Sequence, residues 1–138
     1  MRARALAEAR LWLGTPYRHQ ASLRGAGCDC LGLIRGVWRA LHGDEPQSVP
    51  PYDPGWAGRG GEDTLHDAAR RWLVPVETAR PGDVIVFRYA PGAPASHCAI
   101  LSAPGHMIHA MQGRAVCESA LVPWWRRRVC GAFAFPEN

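Results

Sequence analysis

The sequence has no lysine. All 16 basic residues are arginine, set against 12 Asp plus Glu, for a net charge of +4. Alanine, glycine and proline are plentiful beside arginine, so coding bias accounts for much of this usage. The small excess suits an anionic partner or envelope but does not by itself mark a nucleic-acid site. Long apolar runs are also missing. None approaches the roughly 18–20 residues of a membrane span. Arg2, Arg4, Glu8 and Arg10 interrupt Met1–Leu13, so no signal-peptide apolar region is found there. Synthesis in the cytoplasm is the expectation. An even set of cysteines is missing too. Five cysteines in a reducing compartment read as free thiols, metal ligands or a nucleophile rather than as a disulfide framework.

What is present is a globular composition, 47% apolar and 20% charged, in 138 residues. That length fits one domain, residues 1–138. Ala3–Leu13 is predicted as a helix with Leu6, Ala9 and Leu13 on one face, stopped by Gly14-Thr15-Pro16. A second helix is predicted from Cys30 to Leu41, with Leu33, Val37 and Leu41 aligned and Gly43 past its end. Gln47–Gly61, rich in Pro and Gly, reads as an ordered loop, and Glu62-Asp63-Thr64 opens a third helix to Trp72. Five strands are predicted afterwards: Val84–Arg88, Cys98–Ser102, Met107–Met111, Ala115–Glu118 and Val129–Phe135. Helices first and strands second imply an α+β fold with an antiparallel sheet as one layer.

Cys30 follows Gly25-Ala26-Gly27-Cys28-Asp29 at a predicted helix start, where the dipole and unpaired amides favour a thiolate. That is what a cysteine nucleophile requires; a buried structural thiol is the other reading. Six histidines are available as a base. His97 and His109 lie in strands that a Pro104-Gly105 turn would set side by side, so one ring can take the thiol proton while the other orients it. His42 beside Gly43 reads as a helix cap, His66 as a solvated residue of a polar helix, and His106 as a turn tip. A metal site built from Cys28-Asp29-Cys30, His97-Cys98 and His106/His109 competes, but C-x-C is not a usual knuckle spacing. Alternation along a strand also predicts that Cys98 points away from any site that His97 faces, as a core thiol. Tyr17 precedes Cys30 on a loop and could supply an oxyanion or substrate contact, or simply pack. Trp124-Trp125 before Arg126-Arg127-Arg128 could stack on single strands, but reads better as a docking or packing segment.

Taken in order, five segments resemble the NlpC/P60 family of cell-wall cysteine peptidases. They are Leu13-Gly14-Thr15-Pro16-Tyr17-Arg18, Gly27-Cys28-Asp29-Cys30-Leu31-Gly32-Leu33-Ile34, Arg80-Pro81-Gly82-Asp83-Val84-Ile85-Val86-Phe87, Ser96-His97-Cys98-Ala99-Ile100-Leu101 and Met107-Ile108-His109-Ala110. The resemblance implies a papain-like α+β fold with N-terminal helices packed on a small antiparallel sheet. It implies Cys30 as nucleophile, His97 as base and His109 as the residue orienting it. Tyr17 matches the family tyrosine near the oxyanion site, and Asp29 the acid facing the substrate amine. No cofactor or metal is implied. The sequence departs from the family in having Leu31, where Ser commonly follows the nucleophile, and His19-Gln20-Ala21-Ser22-Leu23-Arg24 in place of a glycine-rich stretch.

The stretch from Tyr17 to Trp38 is similar to a narrower branch, the peptidases of phage and gene-transfer-agent tail modules. That implies a peptidoglycan substrate, cleavage between γ-D-Glu and meso-diaminopimelate, and docking to tail-tip, hub or baseplate proteins. The expected location is a phage-like particle acting on the recipient cell wall, with no direct nucleic-acid recognition. The alternative is a chiefly structural tail-tip subunit. Cys28, Cys98, Cys117 and Cys130 are left without a functional assignment.

Overall fold

A computed structural model describes residues 1–49, 51–52 and 63–137. In chain order the elements are α1 (Arg2–Leu11), β1 (Ser22–Leu23), β2 (Gly27–Cys28), α2 (Cys30–His42), α3 (Thr64–Trp72), β3 (Val74–Pro75), β4 (Val84–Phe87), β5 (His97–Ala103), β6 (His106–His109), β7 (Cys117–Ala120), α4 (Pro123–Arg126) and β8 (Val129–Ala134). Six strands form one sheet in the order β3-β8-β4-β5-β6-β7, and each neighbouring pair is antiparallel. β1 and β2 make a separate small hairpin inside the predicted loop before Cys30. The architecture is α+β. Most of the predicted Gln47–Gly61 loop lies outside the described residues, as does Glu62.

Val84-Ile85-Val86-Phe87 is buried at every position because the sheet is covered on both faces. Val84, Val86, Cys98, Ile100 and Ile108 join α1, α2 and α3 in the main core. The alternate residues Ile85, Phe87, Ala99, Leu101 and Met107 meet Leu121 and Trp125 on the other face. α4, which carries Trp125, is only four residues long, too short for a periodic signal in the sequence.

α1 ends at Leu11 rather than Leu13, and its buried residues are Ala5 and Ala9. Trp12 is buried beyond it, while the predicted core residue Leu13 is 41% exposed. Small alanines let α1 sit close to its neighbours. Gly36 of α2 makes room for Trp12: a Cβ there would lie 2.0 Å from the indole Cζ2. α2 keeps its predicted face, with Leu33, Val37 and Leu41 buried and Gly43 at its C-cap with φ +87.

β7 begins two residues later than predicted. Val116 is instead engaged by the chain after α1: its N–H donates to Thr15 O at 2.8 Å, and its carbonyl accepts from Gly14 N at 2.9 Å. This clamp fixes the approach to Tyr17, which bridges to Cys28 beside the nucleophile candidate.

Candidate active site

α2 begins at Cys30, and Asp29 is its N-cap. Asp29 Oδ1 accepts from Gly32 N at 2.7 Å. Its Oδ2 accepts from Gln20 N at 2.7 Å and from the Tyr52 hydroxyl. Ser22 Oγ donates to Gly32 O at 2.6 Å, tying the β1 hairpin to the same turn. Asp29 is only 2% exposed. The acid that the resemblance places toward a substrate amine here faces protein groups, and its geometry is that of a turn holding Cys30 in place. The amides of the first helical turn have no intrahelical partners, so Cys30 N–H stands available beside its own sulfur.

Cys30 is 7% exposed. Its thiol is held well below the usual thiol range. The Cys98 thiol hydrogen-bonding to it is the largest cause, and a hydrogen bond and charge interaction with His97 add to it, against the opposing effect of burial. Cys98 is pushed up, first by that same hydrogen bond to Cys30 and then by burial. The two shifts run in opposite directions, so Cys30 is the thiol of the two that ionises first.

The structure agrees with the expectation of Cys98 as a core thiol on the face opposite His97. Alternation does hold along β5: the His97 ring lies against Phe87 and Trp125, and Cys98 lies in the core under the helices. Cys30 and Cys98 belong to the same core cluster, where α2 packs on the sheet.

His97 Nε2 is 2.9 Å from His109 Nδ1, and His109 Nε2 is 2.8 Å from Ser119 Oγ. Burial, then the neighbouring His97 and Arg114, push His109 down from 6.5 to about 3, so this ring is neutral at ordinary pH. When His97 carries a proton at Nε2, His109 accepts it at Nδ1 and donates its own Nε2–H to Ser119 Oγ. That leaves His97 Nδ1 for Cys30. Trp125 walls the relay, with ring centroids 5.1 Å from His97 and 5.6 Å from His109. Such a wall excludes water and strengthens the polar contacts beneath it.

Ser119 is a relay residue that the sequence reading did not single out, and Trp125, read there as part of a docking or packing segment, packs on the relay. In the antiparallel register, Met107 pairs with Ser119 and His109 with Cys117, so Ser119 is the diagonal neighbour of His109. Nothing local in the sequence marks that contact. Tyr89 was also missed. Its phenol is pushed up by burial first, then by Cys30, Cys98 and Tyr17, and its ring meets Trp124 and Trp125. Tyr17 is likewise raised by burial and then by Asp29, Cys30 and Cys28.

The other histidines lie elsewhere. His42 packs on Trp38 at 4.4 Å, and His106 is exposed at the β5–β6 turn. His66 was expected to be solvated. It is instead buried against Phe133, because α3 turns this side of its polar surface onto β8. His19 Nε2 contacts Tyr52 O at 2.7 Å. Cys28 is fully buried, and burial, followed by Asp29 and Cys30, raises its thiol to about 12, which makes it inert. Among the described residues, no group of three or more His, Cys, Asp and Glu side chains is arranged to hold a metal ion.

The NlpC/P60 family profile matches residues 14–134. The chain belongs to the NlpC/P60 family. Solved NlpC/P60 structures resemble it closely enough to establish the fold. The NlpC/p60 domain of the peptidoglycan hydrolase SagA aligns at TM-score 0.69 and 24% identity, over 98% of this chain and 99% of that one. An NlpC/P60 family protein from Bacillus cereus ATCC 10987 aligns at TM-score 0.66 and 24% identity, over 96% of this chain and 39% of that one. NlpC2 from Trichomonas vaginalis aligns at TM-score 0.67 and 18% identity, over 97% and 46% respectively. This NlpC/P60 chain thus spans nearly all of one neighbour and under half of the other two. A search of curated proteins finds no match.

Proposed function

We propose that this NlpC/P60 chain is a cysteine endopeptidase that hydrolyses peptidoglycan stem peptides, between γ-D-Glu and meso-diaminopimelate. The reading rests on one observation above the others: a buried thiolate candidate, Cys30, contacts the first ring of a continuous His97–His109–Ser119 relay. The Cys30 sulfur attacks the peptide carbonyl, and the Cys30 N–H, with Tyr17 nearby, stabilises the oxyanion. His97 gives its proton to the leaving amine. It then takes a proton from the water that releases the acyl group. A neutral His109 holds the His97 ring throughout. Similar proteins support the substrate class: SagA is described as a peptidoglycan hydrolase, and another neighbour, Ly7917, was solved with the hydrolysing product of MDP.

The proposal extends to place and partner: a phage-like tail tip, breaching a recipient wall during DNA delivery. Two features support it. One is the similarity of Tyr17–Trp38 to tail-module peptidases. The other is an exposed surface where Trp124, 42% exposed, carries the Arg128 guanidinium at 3.7 Å from its ring centroid. Arg126 and Arg127 are exposed beside it. The alternative, a chiefly structural tail subunit, uses that same surface.

Digestion of purified muropeptides, followed by mass spectrometry, tests the chemistry. The expected products carry a new meso-diaminopimelate amine, and Cys30→Ala yields none. Equal digestion by Cys30→Ala refutes the reading. Particles that assemble with Cys30→Ala but fail in delivery support the enzymatic role; failed assembly supports the structural one.

A further inference from the structure

Asp29 precedes Cys30 in the chain, and its carboxylate is almost wholly buried. A buried negative charge next to a thiol opposes ionisation of that thiol. The effect shows on the other side of Asp29, where Cys28 is held up at about 12 by burial first and by Asp29 next. Ionisation of Cys30 is favoured when hydrogen bonds draw the Asp29 charge away. Three donors do so. Gly32 N–H meets Oδ1 and Gln20 N–H meets Oδ2, each at 2.7 Å, and both are backbone groups. The third is the Tyr52 hydroxyl on Oδ2, from a side chain 23 residues away in the chain.

Tyr52 is anchored at both ends. Its carbonyl oxygen accepts, so His19 Nε2–H is the donor to it, at 2.7 Å. The two rings meet edge to face, with centroids 5.0 Å apart and planes at 82°. With its proton on Nε2, neutral His19 carries no hydrogen on Nδ1, the atom 3.8 Å from Asp29 Oδ2. That Nδ1 is buried and makes no hydrogen bond among the described residues. Tyr52, not His19, is thus the side chain that donates to Asp29 among the described residues. Burial raises the Tyr52 phenol and the bond to Asp29 raises it further, so the hydroxyl stays protonated and remains a donor.

We propose that Tyr52 is a positioning residue for Cys30: its hydroxyl holds the Asp29 carboxylate and takes up part of its charge, which lets a thiolate form at the next residue. The proposal rests on the hydrolytic reading for its choice of sulfur. Tyr52 acts through Asp29 in two ways. It fixes the carboxylate orientation in which Oδ1 caps Gly32 N–H, so the first turn of α2 presents the Cys30 sulfur and amide in a constant direction. It also shares its proton with Oδ2 in a charge-assisted bond, which lessens the negative charge beside Cys30. Tyr52→Phe keeps the ring and removes the hydroxyl. Oδ2 then keeps the Gln20 N–H, and its charge is less compensated.

The test alkylates the full chain with iodoacetamide across a pH series and reads the rate on the Cys30 peptide by mass spectrometry. In Tyr52→Phe the midpoint should rise by about one pH unit, so that alkylation on the acid limb falls about tenfold. Asp29→Asn leaves no charge for the hydroxyl to compensate. Adding Tyr52→Phe to Asp29→Asn should therefore leave the midpoint of Asp29→Asn unchanged. Circular dichroism and a thermal melt check each variant. A lowered Tm with an unmoved midpoint in Tyr52→Phe means a merely structural tyrosine and overturns the proposal. So does an equal shift with and without Asp29→Asn, because Tyr52 would then not act through that carboxylate. Alkylation needs no peptidoglycan. A chain that shows the expected shifts but cleaves no muropeptide would sink the hydrolytic reading and leave this one standing; cleavage with an unmoved midpoint would do the reverse.

Discussion

Replacing Ser119 with Val should cripple the relay, while Thr at the same position should not. Both variants add comparable bulk at one edge of β7; only Thr keeps the hydroxyl. Ser119 Oγ lies 2.8 Å from His109 Nε2. A methyl there leaves a buried N–H unpaired, at about 1–3 kcal/mol. His109 can escape by moving its proton to Nδ1. That N–H would then face the His97 Nε2–H across 2.9 Å, donor against donor. Either outcome costs His97 the partner that orients it toward Cys30. If about 1.4–2.8 kcal/mol of that loss reaches the transition state, kcat/KM falls about 10–100-fold. The assay compares kcat/KM on a defined muropeptide with the 15N shifts of His109, which report its tautomer directly. Equal rates for the Val and Thr variants, with an unchanged His109 tautomer, would refute the relay.

Two further predictions concern stability. Gly36→Ala places a Cβ 2.0 Å from Trp12 Cζ2, so it should cost about 1–3 kcal/mol and lower Tm in a thermal melt; an unchanged Tm would show that α1 can move aside. His109 falls from 6.5 to about 3 in the folded chain. Between those values the unfolded chain binds a proton that the folded chain refuses, so stability is full above pH 6.5 and declines as pH falls toward 3. At pH 5 the loss is about 2 kcal/mol, from roughly 1.4 kcal/mol per pH unit. Urea unfolding at pH 7 and 5 should show a smaller decline for His109→Gln, and an identical decline in both proteins would contradict the assignment.

Much of the site was legible in the residues. The helix start at Cys30 and the strand pair carrying His97 and His109 follow from local rules of periodicity and turns, whereas the capping role of Asp29 came only with the structure. The two-sided cover of β4 was less so. The run Val84–Phe87 signals burial, but the element that buries its second face is the four-residue α4, too short to announce itself. The roles of Leu13 and His66 were misjudged because the sequence fixes neither where α1 stops nor which side of α3 meets β8.

The sequence by itself determined a single nucleophile candidate among five thiols that need not pair, in a chain whose basic charge, carried entirely by arginine, needs no nucleic acid to explain it. A helix terminus is a local feature, and its electrostatics act on the residue standing there. The tertiary structure alone decided what surrounds that sulfur. Ser119 joins the relay only through the diagonal geometry of paired strands, and Trp125 covers it only because the chain after β7 folds back across the sheet. Cys98 joins Cys30 in the main core because α2 packs across β5. Such contacts depend on how elements separated by tens of residues pack, and no local pattern records them.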